Sequence, residues 1–306
     1  MEVKMLHSKS INILLMLLAA SFLGFTAPLV DFLYAKGFTI MDLTNAQYGF
    51  AVVMLWLIIL PILNRIRFPT GKDLLFIIGT GATSAWAIYF YFKSITLLPV
   101  SLSIVLLFQV TWIVTLLDII VKRVLPSTQK WIGIAFILGG TILAVGLFQS
   151  ELPHLSWIAI GYGLLAAVCF GISLYLPEYM TKQSSPFARA ALTLTVGAFS
   201  LFPMYPPTYL TNGVLFHGLL GWGIVTGLIG QLLPLLFMLI SIPKIGGRMA
   251  GILSAVELPV TVVSANFLLG ETISWFRWLG VLLILIGICF SEVMKPTSKR
   301  LVRNRI

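Results

Sequence analysis

Charge is scarce in this sequence, and acid scarcest: 10% of its 306 residues are charged, with ten Asp or Glu against twenty Lys or Arg. Soluble domains carry charge on about a quarter of their residues, so a water-soluble fold is excluded. Cysteine is nearly absent. Cys169 and Cys289 each sit in an apolar stretch with no CxxC or His-rich neighbour, which points to neither a disulfide nor a metal site. The three histidines, His7, His154 and His217, lie outside the span interiors, and no HExxH or GxSxG occurs. A membrane-embedded enzyme acting on lipid-linked substrates is therefore a poor rival reading. No catalytic residue, cofactor or metal is expected.

What the chain has instead is apolar length, with 59% hydrophobic residues. Turn residues and charges divide it into ten apolar segments near 11–34, 46–64, 74–96, 98–118, 130–149, 156–177, 188–206, 214–241, 248–269 and 275–294. Each approaches the roughly 20 residues a membrane-crossing helix needs, so the fold class expected is all-α integral membrane with ten transmembrane helices. The third and fourth segments run together through Leu97-Leu98-Pro99, where the proline and the excess length force a break. The N-terminal run resembles a signal peptide, but it is longer than an h-region of about 7 to 15 residues and carries Gly24 and Pro28, which suits a retained helix.

Basic residues fix an orientation. With the N-terminus cytoplasmic, Lys4, Lys9, Arg65, Arg67, Lys72, Lys122, Arg123, Lys130, Lys182, Arg189, Lys244, Arg248, Lys295, Lys299, Arg300, Arg303 and Arg305 fall on the cytoplasmic side. Only Lys36, Lys93 and Arg277 fall on the other. That is the positive-inside pattern, and removing any one helix would scramble it. The expected place is a bacterial-type inner membrane, with both termini cytoplasmic. The net charge of +10 is thus topogenic, with lipid headgroups rather than nucleic acid as its partner.

A shift of 147 positions aligns 86–146 with 233–293 without a gap, pairing Ser127 with Ser274, Trp131 with Trp278, Gly133 with Gly280 and Gly140 with Gly287. Gly24 falls on Gly171 at the same shift. Five spans per copy is an odd number, so the second copy is inverted, the architecture of many secondary transporters. The halves expected are 1–149 and 156–294, followed by a basic cytoplasmic tail, 295–306.

The stretch Ala255-Val256-Glu257-Leu258-Pro259-Val260, followed by Leu269-Gly270-Glu271 and Trp278-Leu279-Gly280-Val281-Leu282-Leu283, resembles the signature of the EamA family of the drug/metabolite transporter superfamily. The resemblance implies a ten-helix exporter of amino acids, related metabolites or amphipathic drugs, driven by an ion gradient or by exchange. The first half departs from the pattern: it offers Gln109-Val110-Thr111-Trp112 and Lys122-Arg123-Val124 where the family would place glutamates. Any acid-dependent step then rests on the second half.

Glu257 is the leading site candidate, because a carboxylate near mid-span costs about 2.5–3.5 kcal/mol on insertion scales and is kept for a reason. It shares a helical stripe with Gly251, Ser254, Thr261 and Ser264, a small polar face suited to a cavity or a close helix contact. Structural hydrogen bonding of a protonated Glu257 is the competing account. Trp86, Tyr89 and Lys93 form an aromatic face with a cation, although Lys93 can also snorkel to the interface. Gln109, Thr111 and Trp112 occupy the region related to Glu257 by the repeat, and Gln231 lies in a glycine seam with Gly223, Gly227 and Gly230. Pro28, Pro177, Pro234 and Pro259 are expected hinges, Pro259 by freeing the Ala255 carbonyl. Asp118 is expected to pair with Lys122 one turn on. Asp31 and Asp42 are expected in solvent, Asp31 with access to an outer vestibule. The function these features predict is export of amino acids or similar small metabolites by alternating access, with a lipophilic-cation or drug exporter as the alternative. Oligomeric state is left open.

Overall fold

The computed structural model describes residues 2–98, 100–144, 156–181, 183–270 and 274–293. Pro99, His154, Lys182, Glu271 and the tail 295–306 lie outside them. Thirteen α-helices run along the described chain: α1 (Glu2–Ala35), α2 (Ile40–Ile59), α3 (Lys72–Ile95), α4 (Val100–Leu107), α5 (Val110–Lys122), α6 (Thr128–Ala144) and α7 (Trp157–Tyr175), then α8 (Pro186–Leu201), α9 (Leu220–Gly227), α10 (Leu233–Ile245), α11 (Gly247–Leu253), α12 (Glu257–Leu269) and α13 (Trp275–Val293). Several join into longer rods. A π-helical turn at Leu228–Leu232 links α9 to α10, and a 3-10 turn at Ser254–Val256 links α11 to α12. Among the described residues, seven rods are long and apolar enough to cross a membrane, and Thr128–Ala144, Pro186–Leu201 and Trp275–Ser291 are shorter apolar helices. The protein is a multi-pass membrane protein.

The fourth expected span differs from its sequence reading. It is two helices, broken at Phe108–Gln109, and it continues to Lys122. The break is part of the repeat: the 147-residue shift carries the start of α4 onto the start of α11 and both bounds of α5 onto those of α12. Even the caps agree. Arg123 and Gly270 end these helices in the left-handed region, with φ of 54° and 67°, a common helix stop. His217 sits at a kink at the very start of the α9 rod, where it (φ −91°, ψ 31°) and Gly218 (φ 106°) leave helical geometry.

Glycines set how closely the helices approach. A Cβ on Gly133 would lie 2.7 Å from the Gly287 carbonyl oxygen, and one on Gly287 would lie 2.7 Å from that of Gly133. Gly140 and Gly280 face each other likewise, at 2.7 and 2.6 Å. The α6–α13 crossing is therefore a backbone-to-backbone contact that only glycine permits. Gly24 of α1 meets α12 in the same manner, its Cβ position 2.3 Å from the Glu257 carbonyl oxygen, while Gly171 of α7 meets Ile113 of α5 at 3.2 Å. The glycine seam of α9 packs on α2, with Gly223 and Gly227 against Phe50 and Gly230 against Gln47.

The end of the bundle where α1 begins is termed the base, and the opposite end the rim. Expected solvent exposure fails for Asp42 at the rim. It is 3% exposed, caps α2 with Thr39, and accepts a hydrogen bond from the Thr208 hydroxyl at 2.9 Å. These partners substitute for water around a buried carboxylate.

Candidate functional site

Glu257 follows directly on the 3-10 turn inside the continuous α11–α12 rod. Its backbone is fixed by α1. The Thr261 hydroxyl lies 3.0 Å from the Gly24 carbonyl oxygen and 2.9 Å from that of Glu257, sharing one proton across the α1–α12 contact. The side chain is held differently. Its Oε2 is buried and has no hydrogen-bond partner among the described residues, an arrangement that native structures avoid unless a ligand, water or ion completes it.

Two cavities meet at this carboxylate. A lower one of about 190 Å³ reaches toward the base between α3, α7, α8 and α10, and an upper one of about 380 Å³ reaches toward the rim between α1, α4 and α12. Glu257, Tyr91 and Leu107 line both, and so form the partition between them. Tyr91 interacts electrostatically with Asp31 as well as with Glu257. The lower cavity is largely apolar, with Phe170, Pro234 and Met238 in its wall. Its polar groups are few. The buried Tyr48 interacts with Ser84 and Gln231, and Thr193 presents a buried hydroxyl oxygen with no partner among the described residues. Asp31 and Arg277 line the upper cavity.

The structure brings only part of the sequence-derived set together. Glu257 and Gln231 line the lower cavity, and Glu257 and Thr261 the upper. Gln109 and Trp112 instead satisfy each other: the indole N–H donates to the Gln109 Oε1 at 2.8 Å, and the Gln109 amide donates to the Val105 carbonyl. The repeat mate of Glu257 is Val110, 1% exposed. Thr111 and Ser254 are buried and donate to carbonyls of their own turns. Trp86 is 41% exposed on the bundle's outer surface. The Tyr89 ring packs on Tyr205 and carries Lys93 above it at 5.8 Å. The face of α3 that reaches the cavity is the neighbouring one, with Thr80, Ser84, Ala87, Ile88 and Tyr91. The signal for it was the Thr80–Ser84–Tyr91 spacing, overshadowed by the larger aromatics beside it.

The prolines divide similarly. Pro28 lies within the unbroken α1 and lines the upper cavity; Pro177, in a 3-10 turn, and Pro234 line the lower. Pro234 and Pro259 lie within the continuous α9–α10 and α11–α12 rods, just after the π-helical and 3-10 turns. Pro259 has no amide to donate to the Ala255 carbonyl one turn back, and Ala255 lies in that 3-10 turn. The interruption expected of it is the 3-10 turn just before Glu257.

Comparison with known proteins agrees with this layout. The profile of the EamA-like transporter family matches residues 10–146 and again 157–292. No curated protein matches the sequence. A solved crystal structure described only as that of a protein is similar in fold, with a TM-score of 0.75, 15% identity, and coverage of 97% of this chain and 100% of that one.

Proposed function

The chain belongs to the EamA-like transporter family, part of the drug/metabolite transporter superfamily, and from that premise we propose that it is a secondary exporter of amino acids or related amine-bearing metabolites. In this reading all ten apolar rods cross the membrane as two inverted five-helix halves, 1–149 and 156–294. The base is the cytoplasmic face, which agrees with the distribution of Lys and Arg along the sequence. Substrate passes between the lower and upper cavities by alternating access, and Glu257 is where its cationic nitrogen, or a coupling proton, is held.

One observation carries the reading: the Glu257 Oε2, without a hydrogen-bond partner among the described residues, at the junction of the two cavities. A buried acceptor without a donor is costly, by about 1–3 kcal/mol and more if charged, and an ammonium or a proton removes that cost. The Thr193 hydroxyl adds a second polar contact deeper in the lower cavity. The apolar wall around them suits an aliphatic or aromatic side chain. That same wall supports a second reading, a lipophilic-cation exporter, because a ring-lined pocket with one carboxylate also fits a bulky amine.

Thermal unfolding of the purified protein against amino acids and organic cations separates these, since a ligand that binds the native state raises its apparent stability. Stabilisation by amino acids that disappears in Glu257→Gln is the expected result. Stabilisation by organic cations alone would replace the leading substrate class with the second. Equal stabilisation of wild type and Glu257→Gln would remove Glu257 from the site.

A further inference from the structure

Beyond the cavities, toward the base, lies a cluster of ions that the binding site does not use. Asp118, 1% exposed, pairs with Lys122 at 2.7 Å and with Arg248 at 3.0 Å, and accepts a hydrogen bond from the Tyr175 hydroxyl at 3.2 Å. Lys122 also contacts Glu178, whose other oxygen accepts the Gly247 backbone N–H at 2.8 Å. Asp118 and Lys122 belong to α5 in the first half, and Tyr175, Glu178, Gly247 and Arg248 to the second. Apart from the Asp118–Lys122 pair within α5 and the Glu178–Gly247 bond within the second half, each of these links joins one half to the other.

The repeat shows what stands at the same positions near the rim. The 147-residue shift relates Asp118 to Ala265, Lys122 to Leu269, Glu178 to Asp31 and Tyr175 to Pro28. All four of those mates line the upper cavity. The positions related to Asp118, Lys122, Tyr175 and Glu178 thus border open space near the rim, whereas those four residues themselves are joined at the base.

We propose that Asp118, Lys122, Glu178 and Arg248 form a latch that keeps the lower cavity shut at the base, and that this structure is the rim-open state of the protein. In the alternative state the two halves exchange arrangements: the latch residues separate, and Pro28, Ala265 and Leu269 close over Glu257. Of the four rim mates only Asp31 bears a charge, with Arg277 also lining the upper cavity, whereas the base is held by an ion set centred on the buried Asp118, with Lys122, Glu178 and Arg248 partly exposed around it. Breaking this set leaves the buried Asp118 carboxylate without its cations, which biases the two-state equilibrium toward the state seen here. The inference rests on the alternating-access reading above.

Accessibility tests it without any substrate. In a cysteine-free background (Cys169→Ala, Cys289→Ala), Ala265→Cys reports the upper cavity and Ser173→Cys the base side of the lower one. Each protein is reconstituted in phosphatidylcholine–phosphatidylglycerol vesicles and treated with a charged, membrane-impermeant maleimide presented to both faces. With the latch intact, Ala265→Cys is expected to react at least tenfold faster than Ser173→Cys. Adding Asp118→Asn with Lys122→Met should reverse that order. An unchanged order in the neutralised protein overturns the latch while leaving alternating access in place. Reactivities that rise or fall together at the two sites on neutralisation overturn alternating access itself. Should the neutralised protein not fold, Lys122→Cys with Glu178→Cys in the same background supplies the answer by hydrogen exchange. Oxidation to a disulfide must slow exchange over 170–179 at least tenfold relative to the reduced pair, and equal exchange in the two forms overturns the latch.

Discussion

Val110 and Glu257 stand at the same place in the two halves, each as the first residue after a break in its helix, yet one is buried packing and the other faces two cavities. The surroundings diverge with them. Gly171 rests on the side chains of Ile113, Val114 and Val110 at 3.2–3.6 Å, whereas Gly24 presses onto the Glu257 carbonyl, its Cβ position 2.3 Å away. In the first half the helix contact is filled with aliphatic side chains. In the second, α1 approaches the α12 backbone so closely that no side chain fits between them. The halves have kept one scaffold, down to helix bounds and left-handed caps, and at this position placed a carboxylate in only one copy.

The comparison can be broken first at the shared scaffold, where both halves must respond alike. Gly140→Val and Gly280→Val each drive a side chain into facing backbone, since even a Cβ would come within 2.7 Å of a carbonyl oxygen. Each should destabilise by about 3 kcal/mol or more, read as loss of the folded fraction in detergent. Gly139→Ala is the control on the same helix. Nothing lies within 4 Å of its Cβ position, so it should be neutral or stabilising by up to about 1 kcal/mol.

The chemistry should not be transferable. Val110→Glu places a carboxylate among aliphatic side chains and should cost about 2.5–3.5 kcal/mol in thermal unfolding. In a Glu257→Gln background it should restore no ligand-induced stabilisation; restoration would mean that the halves are interchangeable. A smaller difference separates the two glycine contacts. Gly24→Ala meets backbone that cannot yield and should cost about 2–3 kcal/mol, whereas Gly171→Ala meets methyl groups that can shift and should cost about 1 kcal/mol. Equal losses would erase the asymmetry of the α1 and α7 contacts. Smallest of all, Thr261→Val removes the shared hydroxyl bond to Gly24 and should lower stability by about 1 kcal/mol. Repeating the Gly24→Ala measurement in that background would show whether the two contacts act together.

Much of this architecture was legible in the sequence because it repeats. The pairs Gly133 with Gly280 and Gly140 with Gly287 fixed a register that the helix bounds follow, and Glu257 stood out because carboxylates are rare in spans. The breaks at Phe108–Gln109 and Ser254–Val256 were not legible, for a continuous apolar run looks the same whether its middle turn is α-helical or tighter. The cavity-facing side of α3 was missed for a related reason. In a membrane both lipid and protein interior are apolar, so hydrophobicity alone does not say that Trp86 faces outward while Ser84 and Tyr91 face the cavity. Asp42 was misplaced because its partners, Thr208 and Asn212, lie more than 160 residues away along the chain.

The α6–α13 crossing has the form of a subunit interface. Gly133 meets Gly287 while its repeat mate Gly280 meets Gly140, so every contact one half makes is returned by the other, as across the two-fold axis of a homodimer. One chain therefore carries inside itself the self-complementary surface that two separate half-length copies would need. Two such copies inserted in opposite directions could reproduce that surface, but only in the joined chain can one copy hold Glu257 while the other keeps Val110.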